Sequence, residues 1–195
     1  MTLWLVRHAQ PLIAAGVCYG VLDVAADALA TQTAAQSLAS ALPIGVQVLH
    51  SPLQRCVQLQ QALQAMRPDL ACQVDSRLAE MNFGSWEGRR WDAIARTELD
   101  AWTHEFATWR CGGGECVQDF MTRVAAVWDE SCDMRHQPIV WLTHAGVIRA
   151  AQLLAQGRRH IADASQWPQA APAWGQWTTL EAKCDSGDRM VRPAL

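Results

Sequence analysis

The chain has 195 residues and a formal net charge of -3 at pH 7. Half of the residues are hydrophobic and 18% are charged, which is typical of a globular protein and excludes extensive disorder. The small negative charge argues against a nucleic-acid-binding protein that relies on overall positive charge. A chain of this length is expected to form a single domain over residues 1–195.

Cysteine usage and hydropathy predict a cytoplasmic location. The chain has seven cysteines, an odd number, and no C-x-x-C pair, which favours a reduced protein. Cys111 and Cys116 lack the second Cys or His pair of a zinc site, so no metal is expected. The N-terminus is not a signal peptide, and no apolar run reaches the roughly 18 residues of a membrane span.

Hydrophobic periodicity and turn residues predict alternating strands and helices. The first apolar run is a buried strand, followed by a loop that contains Gly16 and Gly20. Strands are predicted over residues 3–6, 46–49, 72–74, 138–143 and 174–182. Helices are predicted over residues 31–42, 52–66, 117–135 and 146–156, with a segment at 91–109 that is helical in two pieces.

Several boundaries follow from individual residues. Pro43 stops the first helix, and Ser51 is predicted to cap the second, with Pro52 at its first helical position. Three consecutive glycines at 112–114 predict a loop. For residues 161–173, rich in Ala, Gln and Pro, both an ordered and a mobile segment remain open. The alternation predicts an α/β fold with a mostly parallel sheet.

Two predicted strands end in a histidine followed by small residues. His8 follows Arg7 and precedes Ala9, and His144 precedes Ala145 and Gly146. Ligands bind beyond the carboxyl ends of strands in open α/β sheets, so both histidines are placed at the edge where sites form. A lone histidine at a strand end is more often structural, and this alternative stays open.

Two further segments carry charged residues in unusual places. Arg55 lies in the first turn of the predicted second helix, where a bound anion would compensate its unfavourable interaction with the helix dipole. Glu80 and Glu87 lie among apolar and aromatic residues, where a carboxyl group can serve as a general acid. Alternatively, Arg55 and the two carboxylates are solvated surface groups.

In this order, four segments resemble the histidine phosphatase superfamily, the phosphoglycerate-mutase-like group. They are Arg7-His8, Ser51-Pro52-Leu53-x-Arg55, Leu78-x-Glu80-x-x-Phe83-Gly84-x-Trp86-Glu87-Gly88 and Thr143-His144-Ala145-Gly146-Val147-Ile148-Arg149. The resemblance implies a three-layer α/β/α sandwich with a mostly parallel central sheet, and a covering segment over roughly residues 78–116.

Three segments resemble the α-ribazole phosphatase branch of this family more closely. They are Cys18-Tyr19-Gly20-x-x-Asp23, the run from Glu80 to Asp92 followed by Leu99-Asp100-Ala101-Trp102, and Gly113-Gly114-Glu115. The resemblance thus implies hydrolysis of α-ribazole 5′-phosphate in cobalamin biosynthesis. The alternatives are a phosphatase of sugar phosphates or phosphoglycerate and a non-catalytic module that binds a phosphorylated ligand.

The resemblance also implies a role for each matching residue. His8 is the expected nucleophile, which forms a phosphohistidine, and Glu80 is the expected proton donor. The expected phosphate-binding residues are Arg7, His8, Arg55, His144 and Ala145. Tyr19, Gly20, Trp86 and Glu115 are expected to contact the rest of the substrate. A small phosphorylated metabolite is the expected partner, with no cofactor, nucleic acid or membrane, and the oligomeric state stays open.

Some positions depart from the family pattern. Ala9, Gln10 and Pro11 replace the usual residues after the first histidine, and Ala14 stands where mutase-like members have a phosphate-binding Asn. Loss of that contact argues against a mutase, which must hold a second phosphate group. Gly112 and Cys116 replace a usual Pro and Ser, which affects the expected substrate loop rather than the catalytic residues.

Overall fold

The structure is a computed structural model that describes residues 2–134 and 137–181. The ends of the predicted helix 117–135 and strand 174–182, together with Cys184, lie outside the described residues. The described strands are β1 (Thr2–Arg7), β2 (Gln47–His50), β3 (Ala71–Val74), β4 (Ile139–Thr143) and β5 (Trp177–Glu181). The described α-helices are α1 (Ala28–Ala41), α2 (Gln54–Met66), α3 (Arg96–His104), α4 (Val117–Asp133) and α5 (Ala145–Ala155).

The five strands form one mostly parallel sheet in the order β3-β2-β4-β1-β5. β1 pairs with β4 in parallel, β4 with β2, and β2 with β3, whereas β5 runs antiparallel along the outer edge of β1. The helical connections between parallel strands are those expected of an α/β fold. The predicted fold class is thus confirmed.

Hydrophobic side chains cover both faces of the central strands. Ile139 and Trp141 of β4 pack into one cluster with residues of α4 and α5. Val140 and Leu142, which point to the opposite face, pack into a second cluster with residues of α1 and α2. Because successive side chains of a strand alternate between faces, a strand buried throughout needs helices on both sides, which gives three layers.

α1 and α2 begin two or three residues away from the starts that the sequence predicts. α1 begins three residues earlier, at Ala28, because the carboxylate of Asp27 accepts a hydrogen bond from the backbone N–H of Ala30 at 2.7 Å. α2 begins at Gln54, so Ser51 is not its N-cap. Instead, the carboxylate of Asp23 accepts a hydrogen bond from the N–H of Gln54 at 2.6 Å.

The covering segment over residues 78–116 consists of short turns around an aromatic cluster. Three 3-10 turns, Gly84–Trp86, Trp91–Ala93 and Cys111–Gly113, flank α3. The rings of Phe83, Trp86, Trp91, Trp102 and Phe106 contact one another with centroid distances between 5.6 and 6.4 Å. These ring contacts lie within the segment, and its buried residues Trp86, Ile94 and Phe106 join the core cluster on one face of the sheet.

The segment after α5 is described and reaches back to the sheet. Residues 161–173 contain a 3-10 turn, Ala164–Gln166, and the chain then turns at Gly175 into β5. The N–H of Gly175 donates to the carbonyl of His8 at 3.0 Å. Of the two possibilities that the sequence left open, the described structure corresponds to the ordered one.

No helix among the described residues is long and apolar enough to cross a membrane.

The early start of α1 gives a test of the fold. Replacing Asp27 by Ala removes the capping acceptor and should lower the free energy of unfolding by about 1 kcal/mol. Asp27→Asn keeps an oxygen that can accept the same bond and should cost only a few tenths of a kcal/mol. Urea unfolding of the two variants measures both values. Equal losses in both variants would show that the cap is not the cause.

Candidate active site

The parallel pairing of β1 and β4 brings the two predicted active-site histidines together. Arg7 is in register with Thr143, so the next residues of both strands, His8 and His144, leave the same edge of the sheet. The N–H of His8 donates to the carbonyl of Thr143 at 3.0 Å. The two imidazole rings lie 5.2 Å apart between centroids, and both are almost completely buried.

His8 is held in one tautomer with a free lone pair. Its Nδ1 lies 2.6 Å from the carbonyl oxygen of Ala9, and because a carbonyl only accepts, Nδ1 must carry the proton. Burial is the main cause that lowers the pKa of His8 to about 3, with the charges of Arg55 and Arg7 acting in the same direction. A neutral ring with Nδ1–H has its unshared electron pair on Nε2, the form that a nucleophile requires.

Arg55 is fully buried and is held by neutral acceptors. Its guanidinium donates to the carbonyls of Gly20 at 2.6 Å and Leu22 at 3.0 Å, and to Nδ1 of His144 at 3.2 Å. The ring of Tyr19 lies under the guanidinium, 5.5 Å away. A guanidinium has five N–H donors, so these three bonds leave two for an anion.

His144 is bonded on both sides of its ring. Its Nδ1 accepts from Arg55, and its Nε2 lies 2.8 Å from the hydroxyl oxygen of Ser51. Burial and then the charge of Arg55 lower the pKa of His144 well below its usual value. This neutral ring therefore carries its proton on Nε2 and donates it to Ser51. To donate to a phosphoryl oxygen, the imidazole ring would have to turn away from Ser51. The hydrogen bond between His144 and Ser51 was not predicted from the sequence.

Arg7 is braced by the segment that precedes β5. Its guanidinium donates to the carbonyl of Pro172 at 3.0 Å and lies 5.3 Å from the ring of Trp174. Its Nε is buried without a partner. The positive charges of Arg55 and Arg7 both act on His8 and lower its pKa, that of Arg55 more strongly.

The carboxylate of Glu80 lies at the first turn of α5. Its two oxygens accept hydrogen bonds from the backbone N–H of Gly146 at 2.9 Å and of Met81 at 3.1 Å. A Cβ atom at Gly146 would collide with Glu80, so glycine is required for this approach. The predicted proton donor is thereby fixed beside the helix that follows His144, and the adjacent Ala145 forms the first residue of that helix.

A cavity of about 270 Å³ opens next to Glu80. Its walls are mostly aromatic, with Tyr19, Phe83, Trp91, Trp102, Phe106, Phe120 and Trp167 among the lining residues. Glu80 and Arg149 are its charged lining residues. Tyr19 is thus placed where the sequence expects a substrate contact.

Three other predicted substrate residues do not line this cavity. Trp86 is fully buried, and its indole N–H donates to Glu98 at 2.6 Å, so its role is packing and the expected contact with the substrate is not supported. Gly20 is buried and contributes its carbonyl to Arg55. The carboxylate of Glu115 pairs with Arg123 at 2.7 Å, which makes it a brace rather than a substrate contact.

The braced Arg123 in turn holds the loop that carries Glu80. Its guanidinium donates to the carbonyls of Arg77, Ala79 and Glu80 at 2.6, 2.7 and 3.0 Å. The Glu115–Arg123 pair is largely buried, so it is screened less by solvent than a surface ion pair. The backbone position of Glu80 thereby depends on two residues that do not reach the cavity beside it.

Glu87 braces the loop that holds Arg55. Its carboxylate accepts four backbone hydrogen bonds, from Gly20 at 2.8 Å, Leu22 at 3.0 Å, Val21 at 3.1 Å and Phe83 at 2.9 Å. Gly20 and Leu22 are the residues whose carbonyls hold Arg55. The sequence showed a carboxylate among apolar residues, but backbone N–H groups as partners leave no signature in residue identity.

Among residues 2–134 and 137–181, no group of three or more His, Cys, Asp or Glu side chains could hold a metal ion. The six cysteines in this part of the chain are thiols and do not form disulfides there. Cys56 lies behind the site, with Sγ 3.6 Å from Nε2 of His144, and burial raises its pKa to about 12.

Comparison with protein families shows to which family the chain belongs. The family model described as histidine phosphatase superfamily (branch 1) matches residues 3–187. The chain belongs to the histidine phosphatase superfamily. It is a phosphatase, and the predicted family resemblance is confirmed at this level. No match was found among curated proteins.

Solved structures share this fold over nearly the whole chain. A mycobacterial glucosyl-3-phosphoglycerate phosphatase is 26% identical, with a TM-score of 0.74 over 92% of this chain and 89% of that chain. Structures of that phosphatase with VO3 and with inorganic phosphate are also similar, with TM-scores of 0.73 and 0.74. A protein from Thermus thermophilus is 26% identical, with a TM-score of 0.68 over 93% of this chain and 94% of that chain.

The contacts of Glu87 give a direct test. Glu87→Gln keeps the shape but replaces one acceptor oxygen by an NH2 group that cannot accept, so some of the four N–H groups lose their partner. Since each such loss costs about 1–3 kcal/mol, we expect a lower melting temperature and a fall of about tenfold in kcat/KM. Glu130→Gln, which changes an exposed carboxylate, is the control. Full activity of Glu87→Gln would contradict the proposed dependence of Arg55 on this loop.

Burial of neutral histidines predicts a pH dependence of stability. His8 has a pKa of about 3 in the folded protein and about 6.5 when unfolded, so the unfolded chain binds more protons between these values. The free energy of unfolding should therefore decrease as the pH falls below about 6.5, by up to about 1.4 kcal/mol per pH unit for this residue.

Urea unfolding in phosphate-free buffer between pH 7 and pH 4 measures this slope. His8→Asn should remove about 1 kcal/mol per pH unit of the dependence. His104→Asn, at an exposed position of α3, should leave the slope as in the wild type. If His8→Asn and the wild type have the same slope, His8 is not buried in its neutral form.

Proposed function

We propose that this phosphatase hydrolyses the phosphate monoester of a small metabolite through a phosphohistidine on His8. The observation that carries this proposal is the tautomer of His8, with Nδ1–H donated to Ala9 and a lone pair on Nε2. A buried, neutral imidazole between two arginines is suited to attack phosphorus and unsuited to bind a proton.

In the first step, Nε2 of His8 attacks the phosphorus in line with the ester oxygen. The bond between phosphorus and that oxygen breaks as the N–P bond forms, and Glu80, which has to enter this step as the neutral acid, donates its proton to the leaving alkoxide. In the second step, water attacks the phosphohistidine, Glu80 takes the proton of this water, and the N–P bond breaks. The products are the alcohol and inorganic phosphate, and His8 and Glu80 return to their first state.

Fixed positive charge stabilises the transferring phosphoryl group in both steps. Arg55 keeps two N–H donors free, and Arg7 has an unpartnered Nε beside the same histidine. Such donors are held before substrate binds, so they need little reorganisation during transfer. The N–H groups at the start of α5, that of Ala145 among them, add the positive end of a helix dipole.

α-Ribazole 5′-phosphate is the substrate that we propose first. The motifs around Tyr19, Glu80 and Glu115 resemble that branch, and the aromatic cavity beside Glu80 suits a flat benzimidazole ring. The ring would lie on the far side of Glu80 from the phosphate, since Glu80 must contact the ester oxygen.

A sugar ester of phosphoglycerate is the second candidate. It is favoured by the structural similarity to a mycobacterial glucosyl-3-phosphoglycerate phosphatase. Aromatic walls also suit the apolar face of a sugar ring. A non-catalytic binding module is disfavoured, because a binding site for phosphate has no need of a free nucleophile lone pair or of a fixed carboxylate beside it.

Trapping of the intermediate tests the mechanism. Brief reaction with 32P-labelled substrate and an alkaline quench should leave label on His8 that is stable to alkali and released by acid. His8→Ala should not be labelled, and its turnover should fall by at least about 1000-fold. His104→Ala is the control and should behave as the wild type. Label that survives acid, or an active His8→Ala variant, would refute the role of His8.

Substrate comparison separates the two candidates. Release of inorganic phosphate from α-ribazole 5′-phosphate, glucosyl-3-phosphoglycerate and ribose 5-phosphate gives kcat/KM for each ester. We expect the first to exceed ribose 5-phosphate by at least about fivefold, because ring stacking contributes about 1 kcal/mol or more. A higher value for glucosyl-3-phosphoglycerate would favour the second candidate.

A further inference from the structure

Unsatisfied hydrogen-bond donors gather around the active site. Within the described residues, three buried side-chain atoms have no partner: Nε of Arg7, Nε1 of Trp102 and Nε of Arg149. All three are N–H donors. One belongs to the phosphate site, and the other two belong to residues that line the aromatic cavity. A buried donor without a partner costs about 1–3 kcal/mol, so a cluster of them calls for an explanation.

Arg149 also carries a charge that the protein compensates only in part, through the nearby carboxylate of Glu80. Its guanidinium donates to the carbonyl of Gln169 at 3.1 Å, and in the part of the chain that is described it forms no ion pair with a carboxylate. Burial lowers the pKa of Arg149, while nearby Glu80 raises it. A half-buried cation with one neutral acceptor gains more from a further acceptor than a solvated one does.

The rest of the cavity offers little that could compete for this cation. Apart from Glu80 and the hydroxyl of Tyr19, its lining side chains are apolar or aromatic. Both oxygens of Glu80 already accept backbone hydrogen bonds from Met81 and Gly146. An acceptor on a molecule in the cavity would therefore find two donors without partners, the indole N–H of Trp102 and the guanidinium Nε–H of Arg149, of which only that of Arg149 is charged.

We propose that the aromatic cavity is the subsite for the alcohol portion of the substrate, and that Arg149 is a specificity-determining residue that binds a hydrogen-bond acceptor on this alcohol. The proposal rests on the proposed phosphatase reaction, which places the ester oxygen at Glu80. Arg149 lines the same cavity as Glu80 and lies on the same helix as Gly146, which holds the Glu80 carboxylate.

The two proposed substrates share one feature, which is an atom on a ring or a short chain whose lone pair accepts a hydrogen bond. In α-ribazole this is the unsubstituted azole nitrogen, and in a phosphoglycerate ester it is the carboxylate. A carboxylate would gain more, because a charged partner roughly doubles the strength of the bond. An alcohol without such an acceptor would leave the guanidinium desolvated and unpaired.

Two pairs of esters that differ at the acceptor form the test. In glycerol 3-phosphate an uncharged CH2OH group, a weaker acceptor, replaces the carboxylate of 3-phosphoglycerate. α-Ribazole 5′-phosphate and the corresponding indole riboside phosphate differ in the azole nitrogen. The wild type should prefer the acceptor-bearing member of at least one pair by about tenfold or more in kcat/KM, mainly through KM. The pair that shows the preference identifies the source of the acceptor.

Three variants test whether Arg149 causes the preference for acceptor-bearing esters. Arg149→Met keeps much of the length of the side chain and should reduce the preference to within about twofold. Arg149→Lys keeps a charged donor and should restore part of the preference for the carboxylate. Arg158→Met, which removes a charge just after the same helix, should leave both preferences and rates unchanged.

Binding separates failure of this proposal from failure of the proposed reaction. Quenching of tryptophan fluorescence gives the Kd of the free alcohols, since Trp91, Trp102 and Trp167 line the cavity. If no ester is hydrolysed but the acceptor-bearing alcohol binds the wild type more tightly than Arg149→Met, the subsite stands and the reaction fails. Equal binding and equal kcat/KM within both pairs, or an unchanged preference in Arg149→Met, would overturn the role of Arg149.

Discussion

A fully buried guanidinium without a carboxylate partner governs the architecture of this site. Arg55 is surrounded by carbonyl oxygens and an imidazole nitrogen, and none of its bonds in the described structure goes to an acid. The same charge acts on His8 and His144 and, after burial, is the largest influence that keeps both rings neutral.

A buried charge of this kind needs neutral acceptors that are rigidly held. In this fold the acceptors are backbone carbonyls, and carboxylates that do not touch Arg55 hold the backbone that carries them. Glu87 gathers the N–H groups of residues 20–22 so that the carbonyls of the same short loop face Arg55. Glu115 holds the backbone of Glu80 indirectly. It accepts a hydrogen bond from Arg123, and Arg123 donates to the carbonyl of Glu80. In both cases an acid acts on the backbone of a loop rather than on the substrate, which compensates for the lack of regular structure in these segments.

The positions of the histidines could be predicted from the sequence, because a residue that ends a strand of a parallel sheet lies at the carboxyl edge, where sites form. The first residue of α2 could not be predicted from the sequence. Ser51 has the residue type of an N-cap, but its hydroxyl is used by His144, and Asp23 from a remote loop caps the helix instead. Trp86 lies in an irregular segment without periodicity to tell the inner from the outer face, so its burial became visible only in the fold.

The pairing of β1 with β4 also sets an order of events during synthesis. His8 leaves the ribosome early, whereas its neighbour across the sheet edge, His144, follows only after most of the chain has been made. A nascent chain that ends before β4 has a first strand exposed on both of its edges and lacks the contact between His8 and His144. Non-local parallel pairing of this kind is slow to form, so the early strand needs protection from aggregation until β4 has emerged.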